Sequence, residues 1–368
     1  MDVYVFNQHF QLQGIVDSFT SLMWRREYSK TGTFELHINL PESDHDTASL
    51  IATLQKGNIL VKEDDPSEAA EIESLIIEEK SDGETLVITG YFIENFLDKR
   101  IVWGEMSQLG NIEDVMKYFV DHNAINPANT KRIIPHLKLT PNNGLKKQAD
   151  ELSSYANLVT LIEELAVKYD VGWRIIFDLL NKQYLFDVYE GLDRSINQSI
   201  NPQAIFSLEY ENVLNQKYTS SNSNYKNMAL VAGKGEGIEQ KFVEVNELIA
   251  GFERYEVFVD AKDVTDQQDN QPISDEEYKN ILKEKGNSRL SETTVISTFE
   301  SGVSITSNLV YKQDFDLGDV VTIQNERWGV QLNTRITGIE EVYETDTRDI
   351  KVNFGSNIPT LIDKIKMI

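Results

Sequence analysis

One segment near the N-terminus carries the residue types best suited to chemistry. Residues 22–41, "LMWRREYSKTGTFELHINLP", contain two arginines, two glutamates and a histidine among aromatic side chains. Glu35 and His37 are two positions apart, and such a pair could act in general acid–base catalysis. No serine or cysteine nucleophile motif accompanies it. The alternative is that the segment is a structural hairpin, and we expect no catalytic residue.

Metal, cofactor and phosphate sites find little support in the sequence. The chain has no cysteine, and its five histidines occur without HxxxH or HxH spacing, so we expect no metal site. The segment "AGKGEG" at 232–237 lacks the GK[ST] ending of a phosphate-binding loop and predicts a hairpin turn instead. Residues 62–71 have no glycine at the turn position of a calcium loop. We therefore predict no cofactor. The histidines are His9, His37, His45, His122 and His136.

Charge and hydropathy limit the possible partners. The 368-residue chain has a net charge of −25, which repels nucleic-acid phosphates. The acidic run at 62–98 is typical of a solvated surface. No run of about 18 apolar residues and no signal peptide is present, so we expect no membrane span and synthesis in the cytoplasm.

Alternation with period two predicts strands on both sides of "SKTG". Placing Trp24 opposite Leu36 would bury one face and put Arg25 opposite Glu35 on the solvent face. Gly32 could supply a positive φ in the loop. The buried face would consist of Leu22, Trp24, Phe34, Leu36 and Ile38.

The whole pattern predicts an α+β fold that is mainly β. Residues 1–104 read as a small β-barrel, and residues 105–200 as an α+β domain with helices from Asn111 and over 145–169. Residues 201–368 read as a second barrel with a helical insertion around 265–295. The apolar tail at 358–368 predicts a last helical turn.

An internal repeat supports two related barrels. "GNILV" from Gly57 is echoed by "GDVVT" from Gly318, and each is followed at similar spacing by paired acids and a strand that ends in glycine. The acids are Glu78 with Glu79 and Glu340 with Glu341. We interpret this order and spacing as a duplication.

Six stretches together resemble the tail hub proteins of tailed phages and prophages of Gram-positive bacteria. They are residues 22–41, 90–102, 173–195, 206–237, 251–261 and 311–323. The resemblance implies two tube-protein-like barrels, three subunits in a ring of six barrels, and a place at the tail tip of a virion. It also implies contacts with the tail tube, distal tail proteins and a possible fibre or cell-puncturing protein.

The resemblance gives the acidic residues a hypothetical role. Glu78, Glu79, Glu340 and Glu341 would line the channel, so that DNA passes without specific binding. Many such hubs carry a C-terminal peptidase or fibre extension. Because this chain stops at Ile368, we expect no lytic activity.

Two other functions remain open at this stage. A tail-tip peptidoglycan hydrolase would have to use Glu35, His37 and the acidic residues at 63–84. A receptor or carbohydrate binder would use exposed Trp103, Trp173 or Trp328, although core packing is the expected use of these rings. The sequence leaves contractile and flexible tails equally possible.

Overall fold

The computed structural model describes residues 1–40, 44–80, 83–268, 271–293, 295–303, 308–344 and 347–355. The chain is mainly β, with 44% strand and 21% helix, and no closed barrel is found in the described part. It divides into two compact units. The first unit comprises Met1–Lys217 and Phe299–Gly355, and the described part of the second comprises Tyr218–Thr298.

The described residues form twenty-three strands. They are β1 (Val3–Phe6), β2 (Leu12–Val16), β3 (Ser21–Glu27), β4 (Thr33–Asn39), β5 (Ile59–Lys62), β6 (Asp65–Lys80), β7 (Gly83–Phe92), β8 (Glu105–Asn111), β9 (Leu137–Leu139), β10 (Gln148–Ser154), β11 (Gly172–Asp178), β12 (Gln183–Tyr189), β13 (Ile205–Phe206), β14 (Lys217–Ser221), β15 (Met228–Ala232), β16 (Phe242–Val245), β17 (Glu256–Asp260), β18 (Gln267–Gln268), β19 (Gln271–Pro272), β20 (Ile296–Val303), β21 (Val320–Asn325), β22 (Val330–Glu344) and β23 (Thr347–Gly355).

The described residues also form four α-helices. They are α1 (Asp44–Thr53), α2 (Ile112–Val120), α3 (Leu158–Lys168) and α4 (Asp275–Ser291). Short 3-10 helices occupy Ile93–Lys99, Thr130–Arg132, Gly237–Glu239, Gly251–Glu253 and Glu326–Trp328, and a π-helical turn occupies Asp121–Ile125.

Thirteen of the described strands form one sheet, in the order β14-β20-β23-β22-β3-β4-β7-β6-β5-β1-β2, with β21 beside β22 and β13 beside β21. The chain passes between the two units at β14 and β20. Two smaller sheets, β10-β8 and β11-β12-β9, pack with α2 and α3 in the first unit. In the second unit, α4 packs on the sheet β16-β15-β17.

The strands β5 to β7 are repeated as β21 to β23. Gly57 and Gly318 precede the first strand of each copy, with φ of +85° and +92°, a conformation that glycine adopts without strain. The amide of Gly57 donates to the carbonyl of Ile72 at 2.8 Å, and that of Gly318 donates to Ile336 at 2.9 Å. The two glycines that the sequence paired therefore begin equivalent strands.

The two hairpins also match in their irregularities. A bulge follows Ile72 in β6 and Ile336 in β22, and the hairpins turn after Lys80 and Glu344. Each residue of β22–β23 thus carries a number 264 higher than its counterpart in β6–β7.

The glutamates do not match as the sequence predicted. Glu79 was expected to correspond to Glu341, but the offset of 264 makes Ile77 the counterpart of Glu341. The reason is the longer connection from β21 to β22, which adds residues after Gly318.

The predicted hairpin forms with a different register. Trp24 faces Phe34 and Arg25 faces Thr33, so the expected pairing of Arg25 with Glu35 is wrong. Pairing with β4 ends at Arg25, whereas along its other edge β3 pairs with β22 as far as Glu27, and the amide of Tyr28 donates to Thr337 at 3.0 Å. The predicted buried face is correct: Leu22, Trp24, Phe34, Leu36 and Ile38 all lie in one core cluster.

Gly32 serves close packing instead of a left-handed turn. Its φ does not lie in the positive region, but a Cβ there would lie 2.5 Å from the carbonyl oxygen of Arg25 and 2.8 Å from the Phe92 ring. A side chain at this position would therefore push the two strands apart.

Helix prediction was right for α2 and wrong in part for α3. Asn111 is the N-cap of α2. The segment 145–169 is not one helix, since β10 pairs with β8 and Tyr155 has a φ of +56°. Asn157 then caps α3 by accepting the amide of Thr160 at 3.2 Å. The predicted tail helix at 358–368 lies outside the described residues.

Candidate functional site

The two repeats join at one antiparallel pairing, which we call the seam. Residues 338–344 of β22 pair with residues 21–27 of β3, from Gly338 opposite Glu27 to Glu344 opposite Ser21. The other edge of β22 pairs with β23. The seam therefore makes the strands of both repeats parts of one sheet.

A fully buried ion pair lies beside the seam. Lys62 Nζ is 2.8 Å from Glu341 Oε1, and neither side chain is exposed to solvent. Glu341 Oε2 accepts hydrogen bonds from the Tyr343 hydroxyl and from Arg348, each at 2.6 Å. The Lys62 ammonium also lies 5.5 Å from the centre of the Trp24 ring.

This environment fixes the charge of Glu341. Burial alone would raise its pKa, but the charge of Lys62 and the hydrogen bonds from Lys62 and Tyr343 outweigh burial and lower the pKa to about 2. Glu341 is therefore an anion throughout the physiological pH range.

Arg26 anchors a second ionic cluster on the same side of β3. Its guanidinium lies 2.7 Å from Glu68 and 2.7 Å from Asp316, and it donates to the Tyr311 hydroxyl at 2.7 Å. Lys312 extends the cluster to Glu68 at 3.2 Å. The cluster again joins the first repeat to residues more than 200 positions away.

A cavity of about 300 Å³ lies next to the Arg26 cluster and contains an unpaired carboxylate oxygen. Its lining includes Arg26, Glu68, Glu94, Trp173 and Arg174. Glu94 Oε1 accepts the amide of Ile175 at 3.3 Å, while Oε2 has no hydrogen-bond partner in the described part of the chain. Burial raises the pKa of Glu94 to about 7.

The residues first considered for catalysis lie away from these clusters. Glu35 Oε1 is 2.6 Å from His37 Nε2 on the polar face of β4, where both side chains are partly exposed. Arg25 pairs with Glu27 of its own strand at 2.6 Å. Within the described ranges, no three His, Cys, Asp or Glu residues group closely enough to hold a metal ion.

The four glutamates proposed for the channel occupy three different environments. Glu78 and Glu79 are exposed on β6. Glu340 is partly exposed and pairs with Lys351 at 2.8 Å. Glu341 is completely buried, so the expectation that it lines a channel is wrong. Its partner Lys62 comes from the other repeat, which no local pattern could indicate.

The three tryptophans considered for sugar binding also differ. Trp173 is 1% exposed and lies in the core, as expected. Trp103 and Trp328 are 64% and 46% exposed, so the expected core packing does not hold for them. The guanidinium of Arg132 covers the Trp103 ring at 4.6 Å.

Residues 2–356 match the siphovirus ReqiPepy6 Gp37-like protein family. The chain belongs to this family of siphovirus tail proteins. The match covers almost the whole sequence and confirms the resemblance to phage tail proteins. A comparison with curated proteins found no match. Among the described residues, no helix is long and apolar enough to cross a membrane.

Three solved structures with a similar fold are tail proteins. A 43 kDa tail protein of prophage MuSo2 from Shewanella oneidensis has 11% identity and a TM-score of 0.57, with coverage of 96% of this chain and 98% of that one. A tail protein from Neisseria meningitidis has 12% identity, a TM-score of 0.56 and 96% coverage of both chains. Prophage tail protein gp18 from Listeria monocytogenes has 10% identity and a TM-score of 0.52, with coverage of 100% and 98%. The chain therefore shares its fold with tail proteins, two of which come from prophages.

Removing the charge of Glu341 should destabilise this tail protein strongly. Glu341→Gln would leave Lys62 buried without its anion, and we expect a loss of about 3–5 kcal/mol in the free energy of unfolding. Glu340→Gln, one position away, breaks only a partly exposed pair and should cost less than about 1 kcal/mol. Urea unfolding of both variants measures the difference. Equal losses would show that the buried pair does not hold the seam.

Glu94 should make stability depend on pH. The folded protein keeps the Glu94 proton up to about pH 7, whereas the unfolded chain releases it near pH 4.5, so stability falls as the pH rises through this window. Glutamine does not ionise, so the stability of Glu94→Gln should not fall in this pH window. The variant and wild type should differ little near pH 4, and the difference should grow until the variant is more stable by about 3 kcal/mol near pH 8. A difference that stays constant with pH would contradict the raised pKa.

Proposed function

We propose that this protein is a structural hub at the tip of a phage or prophage tail. Three copies form a ring that joins the tail tube to the distal tail-tip proteins. The observation that carries the proposal is the repetition of β5–β7 as β21–β23 within one sheet, in a chain of a tail protein family.

The duplication explains how a trimer would fit a hexameric tube. Each chain contributes two similar sets of strands, so three chains present six to the tube. In this proposal residues 1–104 and 201–368 are the two tube-like barrel domains, with the α+β domain at 105–200 between them. Closed rotational symmetry is the usual arrangement of homo-oligomers.

Acidic side chains on the paired repeats give the ring an electrostatic role. Glu78 on β6 and Glu340 on β22 face the channel in this proposal, because they lie on the same face of equivalent strands. Glu79 is the neighbour of Glu78 along β6 and points to the opposite face of the sheet, so it has no part in this surface. Their charge, and the net charge of −25, would keep DNA from adhering as it passes.

The proposed role is mechanical and not enzymatic. Buried ion pairs at the seam make each subunit a stiff part, which suits a protein that transmits force between the tube and the tip. A fibre or a cell-puncturing protein is a further candidate partner on the distal side. The protein would be made in the cytoplasm of the bacterial host and function in the virion.

The solution mass tests this proposal directly. Sedimentation equilibrium over a series of concentrations should reveal a species of three times 42.0 kDa. The ring requires this species because each chain supplies only two of its six parts. A chain that stays at 42.0 kDa, or that forms only even-numbered oligomers, would contradict the trimeric hub.

A further inference from the structure

A groove of about 360 Å³ in the first unit, which we call the cationic groove, is lined mostly by positive charges. It is formed by the end of the 3-10 helix Ile93–Lys99, the loop that follows, and the 3-10 helix Thr130–Arg132. Among the described residues, Asp98 is the one acid in its lining, and it accepts a hydrogen bond from the Asn157 side chain at 3.0 Å. The other lining residues are Lys99, Arg100, Ile101, Trp103, Lys131 and Arg132.

Three of the four cations have no carboxylate partner in the described part of the chain. Lys99 is neutralised by Glu71 at 2.6 Å. The hydrogen bonds of the Arg100 and Arg132 guanidinium groups all go to backbone carbonyl oxygens. The exposed Lys131 ammonium makes no ion pair with a described residue. The groove therefore concentrates unbalanced positive charge in a protein whose net charge is −25.

The pKa values of the two arginines reflect the same lack of an anion. Burial lowers the pKa of both Arg100 and Arg132, and the charge of Arg132 lowers that of Arg100 further. At Arg335, in contrast, the hydrogen bond and charge of Asp170 help to outweigh burial, and the pKa is raised. An anion in the cationic groove would relieve the repulsion between its two arginines.

Trp103 gives the cationic groove an apolar surface. The side chain is 64% exposed, and the Arg132 guanidinium lies over the ring at 4.6 Å from its centre. No other ring or cation among the described residues contacts the indole, so its other face is open. An open indole face beside cations can stack on the apolar face of a sugar while the cations hold an anionic group.

Backbone hydrogen bonds to buried groups fix the loop that carries Trp103. The Trp103 amide donates to Asn123 Oδ1 at 3.0 Å, and Asn123 is completely buried. The amide of the buried Val102 donates to the carbonyl of Ala156 at 2.8 Å. Because the loop is already ordered, little conformational freedom is lost when a ligand binds.

The size and charge of the cationic groove favour a small ligand over a macromolecule. Its volume lies within the range of small-molecule pockets. A standard protein interface involves about 20–30 residues on each side, whereas seven residues line this groove. A long nucleic acid would be repelled by the net charge of −25. A compact anion with an apolar face satisfies both limits.

We propose that the cationic groove binds a saccharide that carries a phosphate or carboxylate group. The sugar ring stacks on Trp103, and Arg100, Lys131 and Arg132 hold the anionic group through charge-assisted hydrogen bonds. This site adds ligand recognition to the proposed hub and does not require the trimer.

Equilibrium dialysis of the full chain with radiolabelled glucose 6-phosphate and radiolabelled glucuronate tests the proposal. The tighter of the two probes identifies the anionic group as phosphate or carboxylate. That probe should bind at least tenfold more tightly than glucose or inorganic phosphate, because it alone supplies both the sugar ring and the charge. Inorganic phosphate that competes as well as the probe would overturn the saccharide assignment. No saturable binding of either probe at millimolar concentrations would overturn the site.

Two variants with matched controls locate the binding. Trp103→Ala and Lys131→Glu should each weaken binding at least tenfold. Trp328→Ala and Lys146→Glu make the same changes at exposed residues outside the groove and should leave binding unchanged. The two lysine variants alter the net charge equally, so a difference between them reflects the groove itself. Equal losses in the groove variants and their controls would overturn the site.

Two competitors test other kinds of ligand. AMP that displaces the probe at least tenfold better than the unlabelled probe would place a nucleobase on Trp103. A glutamate pentapeptide with the same advantage would indicate an acidic segment of a protein partner. Either result would overturn the saccharide assignment, whereas weaker competition by both supports it. The solution mass tests the trimeric hub independently of all these results.

Discussion

The ion pair between Lys62 and Glu341 is the contact on which the rest of the first unit depends. Each residue alone would be an uncompensated charge in the core, and such a charge costs several kcal/mol. Together, with Tyr343 and Arg348 completing the hydrogen bonds of the carboxylate, they are fully satisfied. Because Lys62 belongs to the first repeat and Glu341 to the second, the pair can form only when the two repeats lie in one relative position.

Local patterns in the sequence predicted the features that depend on local chemistry. The alternation around Trp24 and Phe34 gave the buried face of β3 and β4, and Gly57 and Gly318 marked equivalent strands. The register of that hairpin was missed, since Trp24 pairs with Phe34 instead of Leu36. The pairing of the other edge of β3 with β22, more than 300 residues later, has no local signal in the sequence.

The ionic clusters were missed for the same reason. Arg26 follows Trp24 at the spacing that predicts a buried position, and this was the available signal for its burial. Its partners Glu68 and Asp316 are set by tertiary structure alone. Lys62 was interpreted as part of the solvated run at 62–98, and Glu341 was assigned to a channel surface.

Native-state hydrogen exchange tests the central claim that the Lys62–Glu341 pair holds the seam together. The account predicts that the backbone amides of 338–344 are strongly protected in the wild type and exchange much faster in Glu341→Gln, whereas Glu340→Gln keeps the protection. Equal protection of these amides in the wild type and in Glu341→Gln would contradict it.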